Sequence, residues 1–191
     1  MTQTTKDLLL TVPNAITLAR VAAVPVLGWL MVEENWVPAF WLFLIAGLSD
    51  AVDGIIARFF GQSSRLGQWL DPLADKALLV TAFVALAIVG LVPAWLVILA
   101  VGRDVLIVSG VLVTCSRRDV VPIRPLLVSK VTTAAQIALI AVALGGPAFD
   151  IDVSAASTAL VWATAALTVA SLASYALVWF RHMTRGGAGH G

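Results

Sequence analysis

Asp50-Ala51-Val52-Asp53-Gly54-Ile55-Ile56-Ala57-Arg58, then eight residues, then Gly67-Gln68-Trp69-Leu70-Asp71-Pro72-Leu73-Ala74-Asp75, is the stretch on which the reading of this chain turns. Four carboxylates sit inside two runs that are otherwise apolar enough to lie in lipid. On helices, Asp50 and Asp53 (i, i+3) share one face, and so do Asp71 and Asp75 (i, i+4). Ionisable groups at membrane depth are costly, so four together need a compensating partner. A divalent cation supplies it, because hard cations take oxygen ligands and Mg²⁺ joins a few carboxylates to substrate phosphates. Arg58, Gly54 and Gly67 lie close by, as a bound phosphate requires. The stretch therefore points to metal-assisted chemistry on a phosphate-bearing substrate.

Composition sets the class. Of 191 residues, 60% are hydrophobic and only 12% charged, against about a quarter charged in soluble domains. Apolar runs of roughly 20 residues recur, as in an all-α integral membrane protein of one domain, residues 1–191. Net charge is +1, and no nucleic-acid partner is expected. Cys115 is the single cysteine, which excludes an intrachain disulfide and a cysteine-rich zinc site. Residues 1–12, with Lys6, Asp7 and three leucines, lack the patterns of a signal or transit peptide and suggest an interfacial segment. Residues 182–191, ending in a glycine-rich run, read as a disordered tail.

The apolar runs predict six transmembrane helices over 13–32, 36–60, 67–90, 93–115, 125–145 and 155–181, each able to cross about 30 Å of hydrocarbon. Pro13, Pro38 and Pro93 mark helix entries, and Gly145-Gly146-Pro147 marks an exit. Lys6, Arg65, Arg117, Arg118, Arg124 and Arg185 fall in the termini and in loops 2–3 and 4–5, whereas the other loops hold Glu33, Glu34, Asp150 and Asp152. The positive-inside rule then puts both termini in the cytoplasm, the expected membrane being a bacterial inner membrane. Asp50 lies eight residues before Arg58, about 12 Å into the membrane. The carboxylates of helices 2 and 3 are thus expected to meet in a cavity open to the cytoplasm. Pro72 makes a kink beside Asp71 plausible.

Asp50-x-x-Asp53-Gly54-x-x-Ala57-Arg58 and Gly67-x-x-x-Asp71-x-x-x-Asp75 resemble the signature of the CDP-alcohol phosphatidyltransferases at all eight defined positions. The six-helix layout agrees with that family, so the resemblance covers nearly the whole chain. It implies displacement of CMP from a CDP-linked lipid by an alcohol, at two divalent ions, Mg²⁺ or Mn²⁺, in a homodimer. It also implies that Asp50, Asp53 and Asp71 hold metal on the diphosphate. By the same resemblance Asp75 would be the general base on the acceptor hydroxyl and would also touch the second metal. Gly54, Ala57, Arg58 and Gly67 would line the CDP moiety, with Arg58 pairing phosphate through its planar fork. A cluster of ion pairs among the four Asp, Arg58 and Lys76 is the structural alternative, but two cations do not neutralise four packed carboxylates. Pro13-Asn14-Ala15-Ile16-Thr17-Leu18-Ala19-Arg20 resembles the family's first-helix entrance, which lies along the cytidine pocket. Asn14 and Thr17 suit hydrogen bonds to a pyrimidine, although capping and helix packing explain them equally well.

Lys76, Arg103 and Lys130 are candidates for acceptor binding. Arg103-Asp104 can equally be a mutually paired structural element, and Lys130 can snorkel to the interface. Gly102-Arg103-Asp104, Pro125-x-x-x-Ser129-Lys130, Pro25-Val26-Leu27-Gly28 and Glu33-Glu34 resemble the CMP-forming cardiolipin synthases within the family. That resemblance implies CDP-diacylglycerol and phosphatidylglycerol as substrates in the lipid bilayer. The phosphatidylglycerophosphate synthases, whose acceptor is glycerol 3-phosphate, are the alternative. They usually carry Arg-Glu in place of Arg103-Asp104, followed by another arginine where this chain has Val111. A cation transporter also uses intramembrane carboxylates, but all four here sit toward one side.

Overall fold

A computed structural model describes the backbone of residues 12–60, 65–116 and 127–186, and the side chains of 18–49, 74–107, 109 and 127–176. Among these residues the chain is all helical, with six helices: α1 Val12–Val32, α2 Trp36–Phe60, α3 Arg65–Ile88, α4 Ala94–Ser116, α5 Leu127–Phe149 and α6 Ser154–Gly186. The expected interfacial segment and the loops carrying Arg117, Arg118 and Arg124 lie outside the described residues.

The helix ends follow local chemistry. Pro13 falls in the first turn of α1, where its missing N–H has no partner to lose. At the end of α1, Asn35 N–H donates to the Leu30 carbonyl and Glu34 N–H to that of Met31, with Glu34 at φ 58°. This pair of bonds around a left-handed residue is a Schellman turn. The end of α3 repeats it: Leu91 N–H donates to Leu86, Gly90 N–H to Ala87, and Gly90 has φ 79°. The end of α5 has the same outer bond, Ile151 N–H to Gly146, around Asp150 at φ 53°. Each reversal is thereby closed within a few residues.

Two boundaries differ from the sequence reading by more than two residues. The Gly145-Gly146-Pro147 run does not end α5, which continues to Phe149 with Pro147 inside it. Its glycines serve close approach instead. A Cβ on Gly145 would lie 3.5 Å from the Phe40 ring, and one on Gly146 only 2.5 Å from Val153 Cγ2. α6 runs to Gly186, so residues 182–186 of the expected tail at 182–191 are helical. No proline or glycine interrupts Arg181-His182-Met183-Thr184-Arg185, and the helix persists until the glycine run begins.

The chain divides into two compact units, residues 1–92 with 140–153, and 93–139 with 154–191. In the first, α1 packs chiefly on α3 and also on α2. The α1 face of Arg20, Leu27 and Met31 is buried, as is the α3 face of Ala74, Leu78, Ala82, Ala85 and Leu86. Gly28 makes this seam tight, because a Cβ there would stand 3.1 Å from Thr81 Cγ2. Phe40 meets Phe149 edge to face at 5.0 Å, joining α2 to the end of α5. In the second unit α4 packs on α6, and Trp95 and Trp162 rings lie 5.7 Å apart. Large apolar side chains are exposed in both units, among them Trp29, Ile45 and Leu48 in the first and Ile98, Leu106 and Trp162 in the second. By length and composition, Leu127–Phe149 and Ser154–Ala176 are each sufficient to cross a bilayer.

Candidate active site

The motif occupies the second half of α2 and the first half of α3, on unbroken helical backbone on either side of residues 61–64. The i, i+3 spacing of Asp50 and Asp53 and the i, i+4 spacing of Asp71 and Asp75 are therefore helical spacings. α3 continues through Pro72. The side chains of Asn14, Thr17, Asp50, Asp53, Gly54, Ala57, Arg58, Gly67 and Asp71 lie outside the described residues, so the meeting of all four carboxylates is not among the described geometry. Among the described side chains no group of three or more metal-ligating residues gathers.

Asp75 is the described member of the motif, and its setting is specific. Arg20 Nη1 donates to Asp75 Oδ1 at 2.7 Å. The two side chains differ sharply in exposure, 2% for Arg20 and 32% for Asp75. The guanidinium is enclosed in the α1/α3 seam, while the carboxylate reaches outward from it. A charge-assisted bond of this length is roughly twice as strong as a neutral one. It also offsets part of the cost of holding a carboxylate beside apolar helices. Lys76, the next residue, is half-buried.

Arg20 is the site residue that sequence reasoning missed. It entered the reading only as the last residue of the first-helix entrance segment, with no role of its own, and its partner lies 55 residues away. The available signal was that α1 carries no acid of its own over residues 12–32. A buried arginine there has to find its anion on another helix.

The second unit holds a separate polar cluster. Arg103 is 4% exposed. Its Nη1 donates to Asp104 Oδ1 at 2.6 Å, its Nη2 to Ser129 Oγ at 2.6 Å, and Nη2 and Nε to Ser171 Oγ at 2.8 and 3.2 Å. One guanidinium thus ties α4 to α5 and α6, and Arg103-Asp104 forms the mutual pair that is the structural reading of that dipeptide. Thr132 extends the cluster, its hydroxyl lying 2.7 Å from the Val128 carbonyl and 3.2 Å from that of Leu167 on α6. Thr164, Thr168 and Ser171 continue it along α6, all fully buried. Lys130 is exposed beside Ser129.

Comparison with known proteins adds a second line of observation. The family model for CDP-alcohol phosphatidyltransferase matches residues 10–170. The Rattus norvegicus protein named cardiolipin synthase (CMP-forming) is 36% identical over 181 residues, which cover 86% of this chain and 60% of that one. The Homo sapiens protein of the same name gives the same identity and coverage. An Oryza sativa protein named CDP-diacylglycerol–glycerol-3-phosphate 3-phosphatidyltransferase 1, chloroplastic, is 35% identical over 190 residues, covering 90% of this chain and 58% of that one. The chain spans about 60% of the length of these relatives.

Proposed function

Because the chain belongs to the CDP-alcohol phosphatidyltransferase family, we propose that it transfers a phosphatidyl group from CDP-diacylglycerol to phosphatidylglycerol, giving cardiolipin and CMP. The observation that carries this reading is the complete eight-position motif on the helical backbone of α2 and α3, inside the matched region. The names of the rat and human relatives support the choice of product.

In this reading the acceptor hydroxyl oxygen attacks the phosphorus that carries the diacylglycerol. The bond from that phosphorus to the bridging oxygen breaks, and CMP departs with the electron pair. The hydroxyl proton passes to the Asp75 carboxylate, which is open enough to meet a substrate and is oriented by Arg20. Asp50, Asp53, Asp71 and Asp75 fit a divalent site by donor chemistry: four hard oxygen donors at helical spacings and no competing sulfur or imidazole in the motif. Bound Mg²⁺ or Mn²⁺ there would offset negative charge on the diphosphate and on departing CMP. Arg58 would pair with phosphate, and Asn14 and Thr17 would contact the cytosine. Six spans, both termini in the cytoplasm and a homodimer complete the proposal.

Arg103 enters as a brace between helices, since its donors already serve Asp104, Ser129 and Ser171. Exposed Lys130 keeps its proposed role of meeting the acceptor phosphate. One such cation suits the single charge of a phosphodiester, whereas glycerol 3-phosphate is a dianion near neutral pH and favours several donors. The rice relative, whose name gives glycerol 3-phosphate as acceptor, keeps that acceptor as the second reading. The test is a competition in mixed micelles with CDP-diacylglycerol and Mg²⁺, offering labelled phosphatidylglycerol and labelled glycerol 3-phosphate together. Labelled cardiolipin as the dominant product is expected. Phosphatidylglycerophosphate as the dominant product would overturn the acceptor assignment while leaving the transfer chemistry in place.

A further inference from the structure

We propose that Arg20 is a positioning residue for the proton-accepting carboxylate of Asp75, an inference that rests on the transferase reading above. The geometry separates two roles that an arginine beside a reaction centre can take. A substrate-binding arginine presents its donors to the open side of a site. Arg20 does the reverse: its side chain is 2% exposed, while the acid it holds is 32% exposed. An incoming substrate therefore meets the carboxylate and not the guanidinium. A carboxylate turns about its side-chain torsions. Fixing Oδ1 by a 2.7 Å bond from Nη1 sets the direction in which the group faces.

The support behind Arg20 is rigid. Leu27 and Met31, about two and three turns further along the same face of α1, are fully buried, and Leu78 and Ala82 are buried on α3. Gly28 allows the helices to approach until only Thr81 Cγ2 separates them. Arg20 faces Asp75 and Gly28 faces Thr81, so the two helices run in the same direction and their register is fixed at two levels. Misplacing a reacting group by about 1 Å can cost on the order of 100-fold in rate. A contact that sets the orientation of Asp75 should accordingly appear in turnover, with donor affinity left alone.

The test uses the full-length protein and the variants Arg20→Gln, Arg20→Lys, Asp75→Asn and Arg20→Gln/Asp75→Asn. It follows kcat, the KM for CDP-diacylglycerol, CDP-diacylglycerol binding without acceptor, and the thermal midpoint in detergent. Arg20→Gln should lower kcat by about 10- to 100-fold with KM and binding within about threefold of wild type. Arg20→Lys should be intermediate, because an ammonium replaces the charge but not the planar fork. If Arg20→Gln does not fold, Arg20→Lys carries the test, with the same signature of reduced kcat at unchanged KM. The double variant should be no slower than Asp75→Asn alone, and the two substitutions should be non-additive in thermal midpoint as well. A loss expressed in KM and binding would make Arg20 a donor ligand and overturn the proposal, as would multiplicative rate losses in the double variant. Wild-type protein that releases no CMP would overturn the transferase reading itself. An active wild type with unaffected Arg20 variants would overturn only the positioning role.

Discussion

Asp75 presents a carboxylate of which one oxygen is held by a buried guanidinium. A base acts mainly in the transition state, so Asp75→Asn should nearly abolish turnover while keeping most CDP-diacylglycerol binding. Asp53→Asn, which removes a proposed metal ligand on the diphosphate, should damage both. Paired turnover and binding measurements check this, and equal binding losses in the two variants would contradict the division of roles. A second residue-scale expectation concerns the helix cap at Glu34. Its φ of 58° is a conformation that costs a side-chain-bearing residue about 1–2 kcal/mol. Glu34→Gly should therefore stabilise the protein by about 0.5–1 kcal/mol, read as a raised unfolding midpoint in detergent. Asp75 was legible from its motif. Its partner was not, because the register of α1 against α3 is written in neither helix alone. The caps were hidden for a similar reason: Glu34 and Asp150 occupy positions where composition would have placed glycine.

The helices themselves followed from apolar run length and punctuation. The α2 limits coincide with the reading, and those of α1 and α4 lie within a residue of it. Sequence reasoning failed where glycine served packing and not chain reversal. Gly146 sits inside α5, and its missing side chain makes room for Val153 Cγ2, 2.5 Å from where a Cβ would be. Gly146→Ala should thus destabilise by about 1–3 kcal/mol through overpacking. Gly47→Ala, with nothing within 4 Å of its Cβ position, should gain about 0.5–1 kcal/mol from helix propensity. Opposite signs in thermal or denaturant unfolding are the expected result. Ser171 and Ser174 provide a matched pair on α6. Ser171 accepts two bonds from Arg103, whereas Ser174 donates only to its own helix at the Ala170 carbonyl. Ser171→Ala should cost about 1.5–3 kcal/mol, the range for a hydrogen bond to a charged group. Ser174→Ala should stay within about 0.5 kcal/mol of wild type.

At the scale of the molecule, the described residues include two polar clusters set among apolar helices. Arg20 with Asp75 is one, and Arg103 with Asp104, Ser129 and Ser171 is another. Between lipid-facing helices there is no hydrophobic driving force, so close packing and buried polar contacts carry the association. The two clusters suit different tasks. The first leaves a carboxylate accessible, and the second encloses its cation with three partners. That contrast was only half legible in advance: Asp75 and Arg103-Asp104 were visible as ionisable residues in apolar runs, but their burial depends on which faces the helices share. The central claim is that this chain joins two lipids at the expense of a diphosphate bond. It is tested most directly by measuring CMP and cardiolipin together. Purified protein, CDP-diacylglycerol, phosphatidylglycerol and Mg²⁺ should yield CMP and cardiolipin in equal amounts. Omitting phosphatidylglycerol, or substituting Asp75→Asn, should abolish both products. CMP released without cardiolipin, or cardiolipin formed without CMP, would contradict the account.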